Sequence, residues 1–131
     1  MIAVDTNVLV RLLTRDDEKQ AERARKLFDQ HAGKDGMLFV SDVVLAELAW
    51  TLDRGYRFER ADIARAIRSL ADNATITLES SDSVRVALGL HEKGGTTFPD
   101  CLIAAKAAAA KCKSLATFDK GMKNLPLATL L

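Results

Sequence analysis

Short runs of apolar residues recur along the chain, and each run ends at polar or turn-forming residues. The runs cover residues 2–4, 37–40, 75–78 and 114–117, with residues 127–131 as a weaker fifth run. Runs of this length, with little alternation between apolar and polar positions, are typical of strands that are buried on both faces of a parallel sheet. The pattern therefore predicts four or five buried strands.

The segments between these runs have the spacing of amphipathic helices. Ala24, Leu27 and Phe28 form one apolar stripe, and Ile63 and Ile67 belong to another, each with charged residues on the opposite side. Alternating strands and helices predict an α/β fold, a mostly parallel central sheet flanked by helices in an α/β/α sandwich. Right-handed crossovers then bring the carboxyl ends of the strands to one edge, where open α/β sheets bind ligands.

Capping and turn residues divide the chain in agreement with these elements. Asp16 and Ser41 are predicted to precede helices, and Pro99 is predicted to stand just inside a helix of about residues 98–111. The predicted breaks cover residues 33–36, 54–58 and 94–97. Because no linker, repeat or low-complexity tract interrupts the chain, we expect a single domain spanning residues 1–131.

Overall charge and cysteine content narrow the functional class only slightly. The chain has 19 Lys and Arg against 18 Asp and Glu, so its net charge of +1 gives no general attraction to nucleic acid or anionic lipid. Cys101 and Cys112 would lie roughly 16 Å apart in one helix, too far for a disulfide. Free thiols suit a reducing compartment, and no signal peptide or membrane span is recognisable. We therefore expect a cytoplasmic protein without membrane association.

Two carboxylates in the N-terminal part of the chain stand out by position. Asp5 follows the first strand directly, so it should emerge at the functional edge of the sheet, although Asp also caps helices well and one begins near Asn7. Glu47 interrupts a helical segment in which nearly every other residue is apolar. An unpaired buried carboxylate is costly, so Glu47 is expected to need a metal ion or an arginine such as Arg11 or Arg54.

Asp100 and Asp119 each have a simple structural explanation when taken alone. Asp100 lies in the first turn of its helix, where Asp often only interacts favourably with the helix dipole. It is off the predicted core stripe, which consists of Cys101, Leu102, Ala105, Ala108, Ala109 and Cys112. Asp119 follows the fourth strand and precedes Lys120 and Gly121, which is a common turn composition.

Helix capping, the helix dipole and turn formation explain each acidic residue separately. They do not explain why the acidic side chains should converge on one cleft. The predicted set consists of Asp5, Glu47, Asp100 and Asp119. Such groups would repel one another without a counter-ion, whereas hard divalent cations prefer carboxylate oxygen and water, so Mg²⁺ or Mn²⁺ fits best. A site of this kind suits phosphodiester hydrolysis. The predicted supporting polar residues are Thr6, Asn7, Ser41 and Thr117.

Four short motifs, in order along the chain, carry a family resemblance. They are VDTNVL at residues 4–9, Ser41 with Glu47-Leu48, FPD at 98–100 with LIAA at 102–105, and TFD at 117–119. The ensemble resembles the PIN domain family, in particular its VapC-type toxins. The resemblance implies a Mg²⁺- or Mn²⁺-dependent endoribonuclease whose four acidic residues are those named above. It also implies an RNA substrate (tRNA, rRNA or mRNA), a homodimer and a small cognate antitoxin of the VapB type.

The roles that follow for the four acids differ slightly. Asp5, Glu47 and Asp100 are expected to be metal ligands, whereas Asp119 is expected to bind a second ion or to orient the attacking water. Because most of the few aromatic residues are predicted to lie in the core, recognition of RNA is expected to rely on its shape and backbone.

Two other functions are compatible with parts of the pattern. Phosphatases of the haloacid dehalogenase type also begin with a strand followed by Asp-x-Asp, but here Asn7 stands at the second position. A non-catalytic PIN-fold module that binds RNA or protein would carry the same acids. Helices within residues 16–32 and 42–71 also have apolar faces that could contact a second copy or an antitoxin helix.

Overall fold

The computed structural model describes residues 1–131 and contains six α-helices, one 3₁₀ helix and five strands. The strands are β1 (Ile2–Ala3), β2 (Leu38–Val40), β3 (Ile76–Leu78), β4 (Leu115–Thr117) and β5 (Ala128–Leu130). The helices are α1 (Thr6–Thr14), α2 (Glu18–His31), α3 (Asp42–Tyr56), α4 (Arg60–Ala71), α5 (Ser81–Glu92) and α6 (Phe98–Ala109), with the 3₁₀ helix at Lys120–Met122. The predicted α/β class is confirmed, and each predicted apolar run contains one observed strand.

The chain forms two compact units, Met1–Ser80 and Ser81–Leu131. In the N-terminal unit, β1, β2 and β3 form a parallel sheet in that order. The backbone ladder continues past two strand ends, where the Val4 amide donates to the Phe39 carbonyl at 2.9 Å and the Glu79 amide to the Val40 carbonyl at 3.0 Å. Since the strands are parallel, the residues that follow them share one edge of the sheet.

The core of the N-terminal unit is built from aliphatic residues of its sheet and helices. Its fully buried large side chains are Leu9, Leu38, Val40, Leu45, Leu48, Leu52 and Ile67. Burying each such side chain contributes about 1.5–3 kcal/mol. This packing fixes α1 and α3 relative to the sheet edge, and these two helices carry the N-terminal candidate site residues.

The helix starts agree with the capping predictions, with one correction. Ser41 precedes α3, and its Oγ accepts a hydrogen bond from the Val44 amide at 3.2 Å. The cap of α2 is Asp17 rather than Asp16, because it is Asp17 Oδ1 that accepts from the Gln20 amide at 3.0 Å. The break between α3 and α4 is also shorter than predicted and comprises residues 57–59.

The C-terminal unit combines the packed helices α5 and α6 with a parallel ladder of β4 and β5. Its core includes Val84, Leu88 and Phe98, and the buried His91 ring meets the Phe98 ring edge-on with centroids 6.2 Å apart. The strand pairing of the whole chain is therefore parallel, as predicted, in one sheet for each unit. No helix is long and apolar enough to span a lipid bilayer.

The end of α6 corrects the predicted helix of residues 98–111. The helix ends at Ala109, and Lys111 adopts a left-handed backbone with a φ of 62°. Ala108, Ala109 and Cys112 are exposed rather than part of the core stripe. Cys112 lies beyond the helix, and both cysteines of the chain are free thiols.

Candidate active site

Asp5 lies at the carboxyl end of β1 and at the start of α1. Its backbone is extended, with φ −82° and ψ 160°, and its Oδ1 accepts a hydrogen bond from the Thr6 amide at 2.7 Å. Asp5 therefore has the capping role that the sequence allowed for, in the place predicted for a site residue. Only one carboxylate oxygen takes part in the cap, which leaves the other available to a ligand.

Glu47 lies in the second turn of α3 and is exposed. The expectation of a buried carboxylate is therefore wrong. The physical reason is the orientation of α3: Leu45 and Leu48 face the core, whereas Val43 and Trp50 share the exposed side and are 67% and 60% exposed. The carboxylate of Glu47 thus needs no buried partner, and solvent or a ligand can reach it.

A cavity of about 360 Å³ in the N-terminal unit is lined by both Asp5 and Glu47. The other lining residues come from α1 and α3 and are Thr6, Asn7, Val10, Arg11, Thr51 and Tyr56. A water molecule takes up about 30 Å³ in the liquid, so the cavity has room for a hydrated cation or a phosphate group. The structure thus brings together two of the four predicted acids and two of the predicted polar residues.

Thr6 places a buried hydroxyl without a partner in the wall of this cavity. The residue is 8% exposed, and its Oγ1 has no hydrogen-bond partner. Buried polar atoms are normally paired, so the unpaired Thr6 hydroxyl leaves hydrogen-bonding capacity beside this cavity. Carboxylate, hydroxyl and water oxygens are the donors that hard divalent cations prefer. The residues of this cavity therefore fit Mg²⁺ or Mn²⁺.

Ser41 occupies the same sheet edge but serves a different purpose. Its hydroxyl caps α3, and the cavity of Asp5 and Glu47 is lined without it. Next to it, the Asp42 amide donates to Glu79 Oε1 at 2.9 Å, and the Ser80 hydroxyl donates to Asp42 Oδ2 at 2.7 Å. These bonds connect the ends of β2 and β3, a link that sequence reasoning did not anticipate.

Asp100 is held by two threonines at the start of α6 in the C-terminal unit. Its Oδ2 accepts a hydrogen bond from the Thr96 hydroxyl at 2.6 Å, and its amide donates to Thr97 Oγ1 at 3.4 Å. Thr97 is the helix cap, and Pro99 lies just inside the helix as predicted. Sequence reasoning missed Thr96, which fixes the orientation of a half-buried carboxylate.

Asp119 follows β4 and caps the 3₁₀ helix. Its Oδ1 accepts from the Gly121 amide at 2.7 Å, which is the turn role that the sequence allowed for. Its amide donates to Thr117 Oγ1 at 2.9 Å, so Thr117 contacts Asp119. Phe118, between them, is 82% exposed, in contrast to the expectation that most aromatic residues lie in the core.

The four predicted acids are divided equally between the two units. Asp5 and Glu47 belong to the N-terminal unit, and Asp100 and Asp119 to the C-terminal unit. The structure contains no group of three or more His, Cys, Asp or Glu side chains arranged to hold a metal ion. A site that uses all four carboxylates therefore stays a prediction.

Arg11 is the single basic residue among those that line the cavity of Asp5 and Glu47. Its Nε donates to Gln20 Oε1 at 2.6 Å, and its Nη1 donates to Asp16 Oδ1 at 3.0 Å and to the Tyr56 hydroxyl at 3.3 Å. Tyr56 in turn donates to Asp16 Oδ2 at 2.5 Å. The alternative in which Arg11 neutralises Glu47 is therefore wrong, because its ion pair is with Asp16.

This network shifts the pKa values of two of its members. The hydrogen bond from Tyr56, with smaller contributions from Thr14 and Arg11, lowers the pKa of Asp16 below its ordinary value of 3.8. The hydrogen bond to Tyr56 and the charge of Asp16 raise the pKa of Arg11 above its ordinary value. Both side chains thus stay ionised at neutral pH. Any stability that Asp16 contributes is present above its ordinary pKa and is lost as the pH falls through the lowered value.

Comparison with known proteins covers both units. The family model of the PIN domain matches residues 2–127. A relative described as "VapC ribonuclease", from Aquifex aeolicus (strain VF5), is 32% identical over 130 residues, which are 99% of this chain and 96% of the relative. The chain belongs to the PIN domain family.

Proposed function

We propose that this protein is a metal-dependent endoribonuclease, the toxin of a VapBC-type toxin–antitoxin pair. The observation that carries the proposal is the cavity that Asp5 and Glu47 share, with the unpaired Thr6 hydroxyl in its wall. The likeness to a ribonuclease over nearly the full length of both chains supports it. Because one family match extends over residues 2–127, we also propose that the two units act as one domain.

The four carboxylates have distinct proposed roles. Asp5, Glu47 and Asp100 hold Mg²⁺ or Mn²⁺, and Asp119 contributes to a second ion or accepts a hydrogen bond from the attacking water. When bound, such a cation supplies positive charge to the scissile phosphate and makes water more acidic. No side chain of the protein needs to form a covalent intermediate.

The polar neighbours are proposed to hold these carboxylates in place. The Thr96 hydroxyl donates to Oδ2 of Asp100, which leaves the other carboxylate oxygen as the proposed metal ligand. The Thr117 hydroxyl accepts from the Asp119 amide and so orients the backbone at that acid. Thr6 is proposed to donate to a water or to a phosphate oxygen in the cavity, since its hydroxyl has no protein acceptor.

Incubation with total cellular RNA tests this function. The protein, purified free of any bound antitoxin, is incubated with RNA in Mg²⁺, in Mn²⁺ and in EDTA. We expect discrete fragments with either metal and intact RNA in EDTA. Cleavage that persists in EDTA would contradict the metal dependence, and hydrolysis of a small phosphomonoester without RNA cleavage would favour the phosphatase function. A folded, antitoxin-free protein that binds RNA without cutting it would favour the non-catalytic module.

A homodimer is the second part of the proposal, and the exposed face of α3 supports it. Val43 and Trp50 are large apolar residues on that face, and the Arg54 guanidinium lies 5.8 Å from the centre of the Trp50 ring. Exposed apolar side chains that lie together often mark an interface. Sedimentation at micromolar concentration is expected to give a dimer for the natural protein and a shift toward monomer for Trp50→Ala. A natural protein that sediments only as monomer would contradict this.

The remaining partners follow from the same proposal. A small cognate antitoxin is expected to bind the toxin and to inhibit it by placing an Arg or Lys among the carboxylates, where it competes with the metal. The proposed location is the cytoplasm, which contains the RNA substrates. Failure of a co-expressed neighbouring gene product to bind would count against the antitoxin.

A further inference from the structure

We infer that Arg11 binds a phosphate of the RNA strand beside the carboxylate cavity, and that Asp16 and Tyr56 hold it there. The inference rests on the proposed ribonuclease function and adds to it a residue that recognises substrate. Its starting point is the composition of the cavity wall, in which Arg11 is the one cation next to Asp5 and Glu47.

The charge of the cavity creates a need for such a residue. RNA is a polyanion, and the carboxylates of Asp5 and Glu47 repel it unless cations lie close by. A divalent ion neutralises the carboxylates themselves, but the neighbouring phosphates of the strand need a positive charge of their own. The net charge of +1 offers no general attraction, so a single well-placed arginine has a large influence on binding.

The hydrogen bonds of Arg11 leave part of its guanidinium available. Nε and Nη1 donate to Gln20, Asp16 and Tyr56, whereas Nη2 takes no part in this network. The side chain is 27% exposed, so solvent or a ligand can reach it. A guanidinium matches the geometry of phosphate oxygens, and one that is already fixed by three bonds loses less conformational entropy when it binds.

Arg11 also lies at the junction of two cavities. The second, of about 350 Å³, is formed between α1 and α2 and shares Asn7 and Arg11 with the first. Its other lining residues are Val8, Gln20, Arg23, Ala24 and Leu27. An RNA strand with its scissile phosphate at the carboxylates can continue past Arg11 into a space that holds a second arginine and apolar walls. This arrangement suits a flanking nucleotide with its phosphate.

The structure gives a distance for two ion pairs, Arg11–Asp16 and Arg65–Asp62. They differ in that only Arg11 lines the carboxylate cavity. Arg65 and Asp62 form a pair of similar length, 2.9 Å against 3.0 Å, on the surface of α4 and away from the carboxylate cavity. The two aspartates are almost equally exposed, at 44% and 45%. Arg65 is more exposed than Arg11, at 74% against 27%. Exposed pairs contribute little to stability, so the Arg65–Asp62 pair is a control for loss of an arginine or aspartate charge outside the cavity.

RNA binding in a protein that does not cut tests the inference. Arg11→Gln, Arg11→Lys and Arg65→Gln are each combined with Asp5→Asn, and the affinity for a short single-stranded RNA is measured over a range of salt concentrations without added metal. Loss of Arg11 is expected to weaken binding about tenfold or more. It should also reduce the slope of log affinity against log salt by about 0.7, the value for one phosphate contact on a single strand.

The conservative variants separate charge from geometry. Arg11→Lys is expected to keep the salt slope but to recover only part of the affinity, because Lys lacks the planar fork. Tyr56→Phe and Asp16→Asn are expected to weaken binding less than Arg11→Gln, whereas Asp62→Asn leaves it unchanged. A purely structural role of Arg11 would instead lower the thermal unfolding midpoint and leave the salt slope as it is.

Distinct outcomes overturn the inference and the function on which it rests. An Arg11→Gln protein with the affinity and salt slope of Arg65→Gln would overturn the role of Arg11, even if the natural protein cuts RNA. A natural protein that cuts no RNA would overturn the ribonuclease function. A parent protein that binds no RNA at any salt concentration would overturn the role of Arg11, even if the natural protein cuts RNA.

Discussion

Replacing Asp5 by Asn is expected to reduce RNA cleavage by about two to three orders of magnitude, which corresponds to several kcal/mol of lost charge stabilisation in the transition state. The substitution separates the two roles of the residue. Asn caps a helix about as well as Asp, so the bond from the Thr6 amide at 2.7 Å can be kept while the negative charge is lost. The measurement is the initial rate of RNA cleavage in Mg²⁺, with thermal unfolding alongside.

Two further variants serve as controls for Asp5→Asn. Asp5→Ala loses the cap as well as the charge, and is expected to lower the free energy of unfolding by about 1 kcal/mol in addition to its effect on cleavage. Asp62→Asn removes an exposed carboxylate from α4 and should leave the rate unchanged. Cleavage by Asp5→Asn at more than about a tenth of the natural rate would mean that Asp5 is only a helix cap.

Substitutions at the neighbouring positions Glu47 and Leu48 are expected to have different effects. The change at Glu47 should reduce RNA cleavage, whereas the change at Leu48 should reduce the free energy of unfolding. Glu47→Gln should reduce cleavage by about the same factor as Asp5→Asn, because it removes the second carboxylate of the cavity. Since Glu47 is exposed, its effect on the free energy of unfolding should stay within about 0.5 kcal/mol. Leu48 is fully buried, and Leu48→Ala should lower that free energy by about 2–5 kcal/mol.

Both predictions are checked by two measurements on each variant. One is unfolding in denaturant, and the other is the rate of RNA cleavage at a temperature where both variants are folded. A Glu47→Gln protein that is strongly destabilised would mean that the carboxylate is part of the fold rather than of a site. A folded Glu47→Gln protein that cuts normally would remove Glu47 from the proposed set of ligands. Either result would leave Asp5 as the one proposed metal ligand in the N-terminal unit.

The parallel strands could be predicted because their signal is local. Residues 2–4, 37–40 and 75–78 are short apolar runs, and β1, β2 and β3 fall within them. Asp5 and Ser41 could be placed at the sheet edge because each directly follows one of these runs. The strand ends shift by a residue or so, since hydrogen bonding rather than hydrophobicity decides where a ladder stops.

The exposure of Glu47 could not be predicted because apolar residues occur on every side of the helix around it. Val43 and Trp50 are apolar yet exposed, so they hide the boundary between the core side and the solvent side of α3. The same difficulty affects the end of α6, where Ala108 and Ala109 are small and fit either environment. Pattern alone identifies a helix here, but tertiary packing decides which side faces inward.

The Arg11 network could not be predicted because it depends on long-range contacts. Tyr56 is 45 residues from Arg11 and 40 from Asp16 along the chain. No local signal relates such positions, and they meet only because α1 and α3 pack side by side. Asp5 and Glu47 are also far apart along the chain, and no sequence motif relates them. Their meeting in one cavity is predicted by the topology of the sheet, which brings the ends of parallel strands to one edge.

The measurement that tests the central claim most directly is cleavage of total RNA by three proteins in parallel: the natural chain, Asp5→Asn and Asp100→Asn. The two variants each remove one carboxylate, from the N-terminal and the C-terminal unit respectively. We expect the natural chain to give discrete fragments in Mg²⁺ that disappear in EDTA, and both variants to leave the RNA intact. Equal cleavage by all three folded proteins, or cleavage that EDTA does not stop, would contradict the claim that the protein is a metal-dependent nuclease that needs a carboxylate from each unit.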